Sequence, residues 1–440
     1  MKVDLPQFVL NILNIFGENK YDIFIVGGAV RDILMKKEVH DWDFTTNATP
    51  EEILKLFPEG FYDNKFGTVG VLFENEIYEI TTYRTEAGYT DRRHPDVVLW
   101  GKTLEEDLAR RDLTINALAL DKDLKVIDLY SGQEDIKNKL IRAVGDANKR
   151  FNEDALRILR SVRIATELGF LIEDKTFGAI KEKAFLLSEI SGERIRDELL
   201  KIMASEHPTD GVMIAHNGGV LEQILPELEK GYGLAQAKHH IHDVFKHSVE
   251  SLRSCPSSDP IVRLATLLHD VGKAYTYKGE GEERTFYNHE MESARIARDI
   301  AERLHFSKEQ REKFVTLIRW HQFSVDEFQT DKAIRRFIVR VGNKYLEDIF
   351  NVRIGDRLGS GCTKAESWRL LEYKQRTIDV QKHIPSVKDL KVNGKDVMEV
   401  LGIPPGPRVG EVLSKLFEEI TEDVAKNERE YLIEQIKKLG

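Results

Sequence analysis

The chain has 440 residues, with 65 Lys and Arg against 75 Asp and Glu, giving a formal charge of -10 at pH 7. That length exceeds one ordinary core and suggests about two to four domains, and the negative balance argues against indiscriminate nucleic-acid binding while leaving room for local basic grooves. No run of about 18 apolar residues occurs, so no membrane span is expected; Met1-Lys-Val-Asp-Leu-Pro-Gln7 lacks the apolar region of a signal peptide, and with Cys255 and Cys362 as the only thiols a reducing cytoplasm is the default location.

Up to about residue 140, short strand-like runs alternate with helices. Strands are expected at Ile23–Val26, Thr68–Phe73, Ile77–Tyr83 and Leu124–Leu129. The first runs into Gly27-Gly28, where backbone amides can approach a phosphate and Arg31 can reach it. Asp41 and Asp43 come next at i and i+2, so on a strand both carboxylates share a face. Such a pair can hold two Mg2+ ions about 3.5–4 Å apart, the arrangement of in-line phosphoryl transfer. Glu79, on a later strand, is a candidate third carboxylate.

Arg110-Arg-Asp-Leu-Thr-Ile-Asn-Ala-Leu-Ala119 supplies an arginine pair suited to triphosphate oxygens, with Asp112 placed to orient an arginine. From Asn152, read as a helix N-cap, the pattern turns helical. Asp154, Arg157 and Arg160, at i, i+3 and i+6, neighbour one another along a helix. Asp accepts and Arg donates, which matches the exocyclic amine and adjacent ring acceptor shared by cytosine and adenine. Uracil and guanine mismatch both groups, at about 1–3 kcal/mol each. The alternative is a helix surface with a Glu153–Arg157 pair, worth about 0.2–0.5 kcal/mol. Ser191-Gly-Glu193 opens a further helix through Leu200, and Pro256-Ser-Ser-Asp-Pro260 separates two helices in a His-rich region. A final segment, 386–440, has its own turn at Gly402-Ile-Pro-Pro-Gly-Pro-Arg-Val-Gly410, followed by a helix.

Gly27-Gly-Ala-Val-Arg-Asp32 with Asp41-Trp-Asp43, Arg110 to Ala117, Asp128-Leu-Tyr-Ser-Gly132, Glu153-Asp-x-x-Arg-x-x-Arg160 and Gly192-Glu-Arg-Ile-Arg-Asp-Glu-Leu199 run in the order of a class II tRNA nucleotidyltransferase. The chain resembles that bacterial CCA-adding group of the polymerase β superfamily across residues 25 to 200. The resemblance implies that Asp41 and Asp43 bind the metals and that Gly28, Arg31 and Arg111 contact the triphosphate. It also implies that Asp154 and Arg157 template the base, with Arg160 and Arg163 at the nucleotide. Poly(A) polymerases of the family carry a basic stretch after the carboxylates; here Asn64-Lys-Phe-Gly-Thr-Val-Gly-Val71 holds one Lys. Arg84-Thr-Glu-Ala-Gly-Tyr-Thr-Asp-Arg-Arg-His-Pro95 resembles the flexible loop that CC-adding members lack, so terminal A addition is expected. A-only addition and poly(A) synthesis are the alternatives.

Farther on, His247, His269-Asp270, His289, His321 and Asp356 resemble the ligands of an HD phosphohydrolase domain. That resemblance implies one metal site at His247, His269, Asp270 and Asp356, with His289 and His321 completing a second ion's shell. Mixed imidazole and carboxylate ligands suit a divalent transition metal of unassigned identity. Such an ion generates hydroxide from bound water for attack on phosphorus, and Lys273 would stabilise the phosphate. His239, His240 and His242 do not fit the ligand order.

The expected fold is α+β: a small polymerase-β-like nucleotidyltransferase head with a mixed sheet at 1–145, a helical base-recognising neck at 146–235, an HD domain at 236–380 and a helical tail at 381–440. The expected function is template-independent CCA addition to tRNA from CTP and ATP with Mg2+, in the cytoplasm and without a membrane. A metal phosphohydrolase whose head only holds RNA is the rival from another class.

Overall fold

The computed structural model describes residues 5–62, 67–74, 76–87, 97–101, 103–236, 241–326, 328–381, 389–422 and 426–439. Its residues form two compact units. One comprises the described chain through Lys230 with Ile300–Phe306, the other Gly231–Asp299 with the chain from Ser307 onward.

Nine strands serve the head of the first unit: β1 (Ile23–Val26), β2 (Asp43–Thr46), β3 (Phe61–Tyr62), β4 (Thr68–Phe73), β5 (Glu76–Thr82), β6 (Arg84–Ala87), β7 (Val97–Trp100), β8 (Leu118–Leu120) and β9 (Val126–Asp128). Seven make one sheet in the order β3-β4-β5-β2-β1-β8-β9, while β6 and β7 pair separately. Among the described residues only β2 and β5 run parallel within the large sheet; β1 is antiparallel to both β2 and β8. This is the mixed-sheet head expected from the sequence, and helices dominate the chain beyond it.

Alternation along the strands buries Ile25, Phe44, Val69, Val71 and Ile80 against Val9, Ile12, Leu13 and Phe16 of the helix Gln7–Glu18. Each such side chain contributes about 1.5–3 kcal/mol through removal from water. The buried hydroxyls of β2 are satisfied locally: Thr46 donates to Asp22 O at 2.5 Å and Thr45 to Thr81 O at 3.2 Å. The central strands are therefore fixed on both counts, and Asp43, the first residue of β2, is carried on them.

Three local readings need correction. Asp41 precedes β2 rather than lying on it, so its face is set by the approach to the strand. Asn152 lies inside the helix Ala147–Glu153, whose N-cap is Asp146, accepting from Asn148 N at 3.0 Å. Asp154 is extended, with φ -142° and ψ 106°, and sits in a break before the helix Leu156–Leu168. Its carboxylate accepts from Leu156 N at 3.0 Å, a local bond that competes with helix continuation.

In the second unit, the helices Val244–Arg253, Pro260–Leu268, Lys308–Trp320 and Leu346–Gly359 bury Val249, Leu264, Leu267, Phe314, Leu317, Ile349 and Val352. The expected Pro256–Pro260 break is present: Asp259 caps the following helix, accepting from Ile261 N at 2.7 Å, with Pro260 in its first turn. Three helices, Gly394–Leu401, Pro407–Glu422 and Arg429–Lys438, share a separate apolar cluster around Val397, Val412, Leu416, Leu432 and Ile436. Among the described residues, no helix is long and apolar enough to cross a membrane.

Candidate functional site

In the first unit a cleft of about 360 Å³ is lined by Gly27, Gly28, Asp43, Arg84, Arg110, Arg111, Asp112, Asn116, Asp154, Leu156, Arg157, Arg160 and Arg194. That volume suits a ligand of nucleotide size. Gly27 is required where it stands, with φ 72°. A Cβ there would lie 3.2 Å from Arg111 Nη1 and 3.5 Å from Asp43 Oδ2, so this turn is what lets the arginine and the carboxylate close on the backbone.

The parallel register of β2 and β5 sets Asp43 opposite Glu79. Burial, then the Asp41 carboxylate, then Glu79 push Asp43 up to about 6, against the opposing pull of Arg111 and Arg160. A divalent cation beside Asp43 would reverse that repulsion.

The arginines are positioned by buried acids. Asp107 lies within a helix, Leu104–Ala109, that is fixed at its start by a capping box between Thr103 and Glu106. One Asp107 oxygen accepts from Arg110 Nε at 3.0 Å and Nη2 at 2.6 Å, the other from Arg111 Nη2 at 3.1 Å. Burial opposes its charge, yet the two guanidinium groups hold its carboxyl below the usual range. Asp112 is likewise held well below that range by Arg160 and Arg157, despite its burial; Arg160 Nε donates to it at 2.7 Å. Arg31 donates to Asp32 and to Asn116 Oδ1, each at 2.9 Å. Among the described residues, the buried Arg111 Nε has no hydrogen-bond partner. Asp107→Asn should therefore weaken binding of a nucleoside triphosphate at the cleft roughly 10- to 100-fold, the loss expected for charged hydrogen bonds. Titration calorimetry with nucleoside triphosphates checks this, and an unchanged affinity would refute it.

Asp154 and Arg157 both line the cleft. Arg157 is clamped by Glu153 Oε2 and by Arg110 O, each at 2.9 Å, so the expected i,i+4 pair exists and fixes the guanidinium plane at the cleft. Arg160 faces the cleft as well, whereas Arg163 is tied to Glu198 at 2.6 Å and Glu167 at 2.8 Å and is absent from the lining. Sequence reasoning gave no role to Arg84, Asp107, Asn116 or Arg194. The 88–95 part of the expected loop, and residues 64–66, lie outside the described residues.

In the second unit all six expected ligands meet. One Asp270 oxygen, Oδ2, lies 3.2 Å from both His247 Nε2 and His269 Nε2 and 2.6 Å from Lys273 Nζ. The other, Oδ1, lies 3.2 Å from His289 Nε2 and 3.6 Å from His321 Nε2. Asp356 Oδ1 is 3.4 Å from His247 and 3.6 Å from His269. Three rings are oriented identically, Nδ1 against the carbonyl three residues earlier: His269 to Thr266 at 2.6 Å, His289 to Phe286 at 2.8 Å and His321 to Ile318 at 2.7 Å. Their Nε2 atoms thus face the carboxylates, the orientation that metal-binding imidazoles need. Asp270 Oδ1, buried and without a hydrogen-bond partner, sits where a cation would satisfy it. Burial opposes the charge on His269, but Asp270 and Asp356 hold its imidazolium up to about 10; burial and the neighbouring His269 push His321 down to about 3. The cluster can hold one or two divalent ions. His242 takes no part in it, and His239 and His240 lie outside the described residues.

Comparison with known proteins agrees with the head-first order of these sites. Residues 23–142 match the poly A polymerase head domain, 169–231 the probable RNA and SrmB-binding site of polymerase A, and 287–436 the putative domain 2 of tRNA nucleotidyltransferase. A CCA-adding enzyme of Lactobacillus helveticus is 48% identical over 219 residues, 49% of this chain and 55% of that protein. One from Ligilactobacillus salivarius is 34% identical over 432 residues, 98% of this chain and 96% of its own length. The solved CCA-adding enzyme of Bacillus stearothermophilus, in complex with CTP, superposes with a TM-score of 0.70 at 28% identity, covering 98% of this chain and 96% of that one. The chain belongs to the family of CCA-adding enzymes, the tRNA nucleotidyltransferases.

Proposed function

We propose that this protein builds or repairs the 3′-terminal CCA of tRNA from CTP and ATP, without a nucleic-acid template, in the cytoplasm. The observation that carries the reading is the convergence, on one cleft, of Asp43 with the arginines and with Asp154 and Arg157. Segments 1–145, 146–235, 236–380 and 381–440 then act as head, neck, hydrolase-like body and tail. Asp41 and Asp43, joined by Glu79, would hold Mg2+, which would supply charge stabilisation for the attacking 3′ hydroxyl and the leaving pyrophosphate. Gly28, Arg31 and Arg111 cradle the triphosphate, and the Asp107 anchor keeps Arg111 in place. The Asp154 carboxylate accepts the amine of cytosine or adenine while Arg157 donates to the adjacent ring nitrogen. Arg160 supports that edge through Asp112, and Arg163 contributes to the neck through Glu198. The 3′ hydroxyl attacks the α-phosphorus in line and pyrophosphate leaves.

The test supplies tRNAs ending at the discriminator base, at C and at CC, with labelled CTP or ATP. Complete CCA on all three is expected. A added only to the CC-ended tRNA identifies an A-adding specialist, long A tails a poly(A) polymerase, and no incorporation overturns the reading. Asp154→Ala should relax C and A over U and G by about tenfold or more while tRNA binding changes little. Unchanged selectivity would remove Asp154 from base reading.

A second activity is favoured by the unpartnered Asp270 Oδ1 between two imidazoles. In this reading His247, His269, Asp270 and Asp356, with His289 and His321, hold a divalent transition metal that supplies hydroxide for hydrolysis of phosphate esters at RNA ends. Hydrolysis of a 2′,3′-cyclic phosphate end should survive Asp41→Ala and vanish in His269→Ala; the reverse pattern would refute it.

A further inference from the structure

Asp154 has a partner that the base-reading scheme does not use. Arg194 Nη2 donates to Asp154 Oδ2 at 2.7 Å and Nη1 to Oδ1 at 3.3 Å, a two-pronged clamp forty residues away in sequence. The Asp154 side chain is 17% exposed and that of Arg194 is 22% exposed, and both line the cleft. Asp154 lies between two helices, so no helical turn limits its carboxylate. Apart from Arg194, among the described residues one backbone bond, from Leu156 N to Oδ1, holds the carboxylate, and its terminal torsion is a soft one that a single bond restrains weakly.

Arg194 is itself anchored. It occupies the first turn of the helix Gly192–Ala204. That turn lies so close to Arg303 that a Cβ at Gly192 would come within 2.0 Å of Arg303 O. Two residues on, Arg196 donates to His305 O. The guanidinium is thus presented from a backbone that is fixed on its far side.

Building on the base-reading role of Asp154, we infer that Arg194 is a specificity-determining positioning residue: its bidentate clamp sets which carboxylate lone pairs face the incoming base. A planar guanidinium occupies one edge of the carboxylate. With Leu156 N also on Oδ1, the outer lone pair of Oδ2 is left to accept an exocyclic amine, at an angle set before the nucleotide arrives. Uracil and guanine place a carbonyl at that edge and meet a carboxylate that cannot turn aside, so they are rejected by lone-pair repulsion as well as by a missing bond. Without the clamp the carboxylate rotates away, and the cost of the wrong base falls.

The experiment compares wild type with Arg194→Gln, Arg194→Lys and Asp154→Ala. It measures kcat and KM for CTP and UTP on a tRNA that accepts C, with melting temperature recorded for each. Arg194→Gln is expected to lower the CTP-to-UTP ratio of kcat/KM by about tenfold or more, mainly through a better kcat/KM for UTP. Arg194→Lys, which keeps the charge but loses the two-pronged geometry, should restore at most part of the ratio. If Asp154→Ala relaxes the ratio and Arg194→Gln lowers only the melting temperature, Arg194 is structural and the inference fails while Asp154 keeps its role. If neither variant changes the ratio, the base-reading assignment fails with it. Full recovery by Arg194→Lys would show that charge alone, and not the clamp's geometry, is responsible, and would also overturn the inference.

Discussion

Asp43→Asn should cut nucleotide incorporation by on the order of 10³-fold and, in EDTA at neutral pH, make the protein more stable. The two effects share one cause. Burial and the Asp41 and Glu79 carboxylates raise Asp43 to about 6, above its value in an unfolded chain. The folded state therefore binds that proton more tightly than the unfolded one. Stability falls as pH rises from about 4 to 6 and stays diminished above that range. Asn carries no charge to repel, so a gain of about 1–2 kcal/mol is expected at pH 7.5 in EDTA, shrinking toward nothing near pH 4. Mg2+ should raise the wild-type melting temperature more than that of the variant. Thermal melts at several pH values, with and without Mg2+, provide the measurement. A variant no more stable than wild type would sink the repulsion account, and preserved incorporation would sink the role of Asp43.

Asp270→Asn has the next largest expected effect, because a single carboxylate faces both halves of the histidine cluster. Its removal leaves His269 and Lys273 without their nearest buried counter-charge, at a cost of about 3–5 kcal/mol. It also deprives any ion of the carboxylate whose two oxygens face the two imidazole pairs. Protein loaded with Mn2+ or Ni2+ and dialysed should retain near-stoichiometric metal as wild type, almost none as Asp270→Asn, and part as His321→Ala, by elemental analysis. Hydrolysis of phosphate esters should follow metal content, while CTP incorporation by the folded variant remains. Equal metal content in all three proteins would refute the assignment.

Much of this was legible because the chemistry is written locally. β1 and β4 have the boundaries that alternation predicts. His269 and Asp270 are adjacent, and each of the three oriented rings takes its carbonyl from its own chain three residues back. What escaped reading is what the tertiary fold decides. Asp107 comes after Glu105 and Glu106 and looks like part of a solvated acidic face; it is buried because two arginines beyond the helix end fold back onto it. The break at Asp154 is concealed by the apolar periodicity on either side, from Phe151 to Leu168. Only the short-range bond to Leu156 N offered a signal, in a residue type that competes with helix formation. Arg194 belongs to a motif that carried the family resemblance, yet nothing in its spacing points to a partner forty residues earlier.

The raised imidazolium of His269 has a consequence for how the second centre is filled. Asp270 and Asp356 hold His269 toward its imidazolium form, so a divalent ion entering the cluster would have to displace that proton. The apparent affinity for such an ion should therefore rise with pH through the neutral range. Acidification would then release a bound ion by returning the proton to His269, which makes occupancy a quantity that tracks the pH of the surroundings.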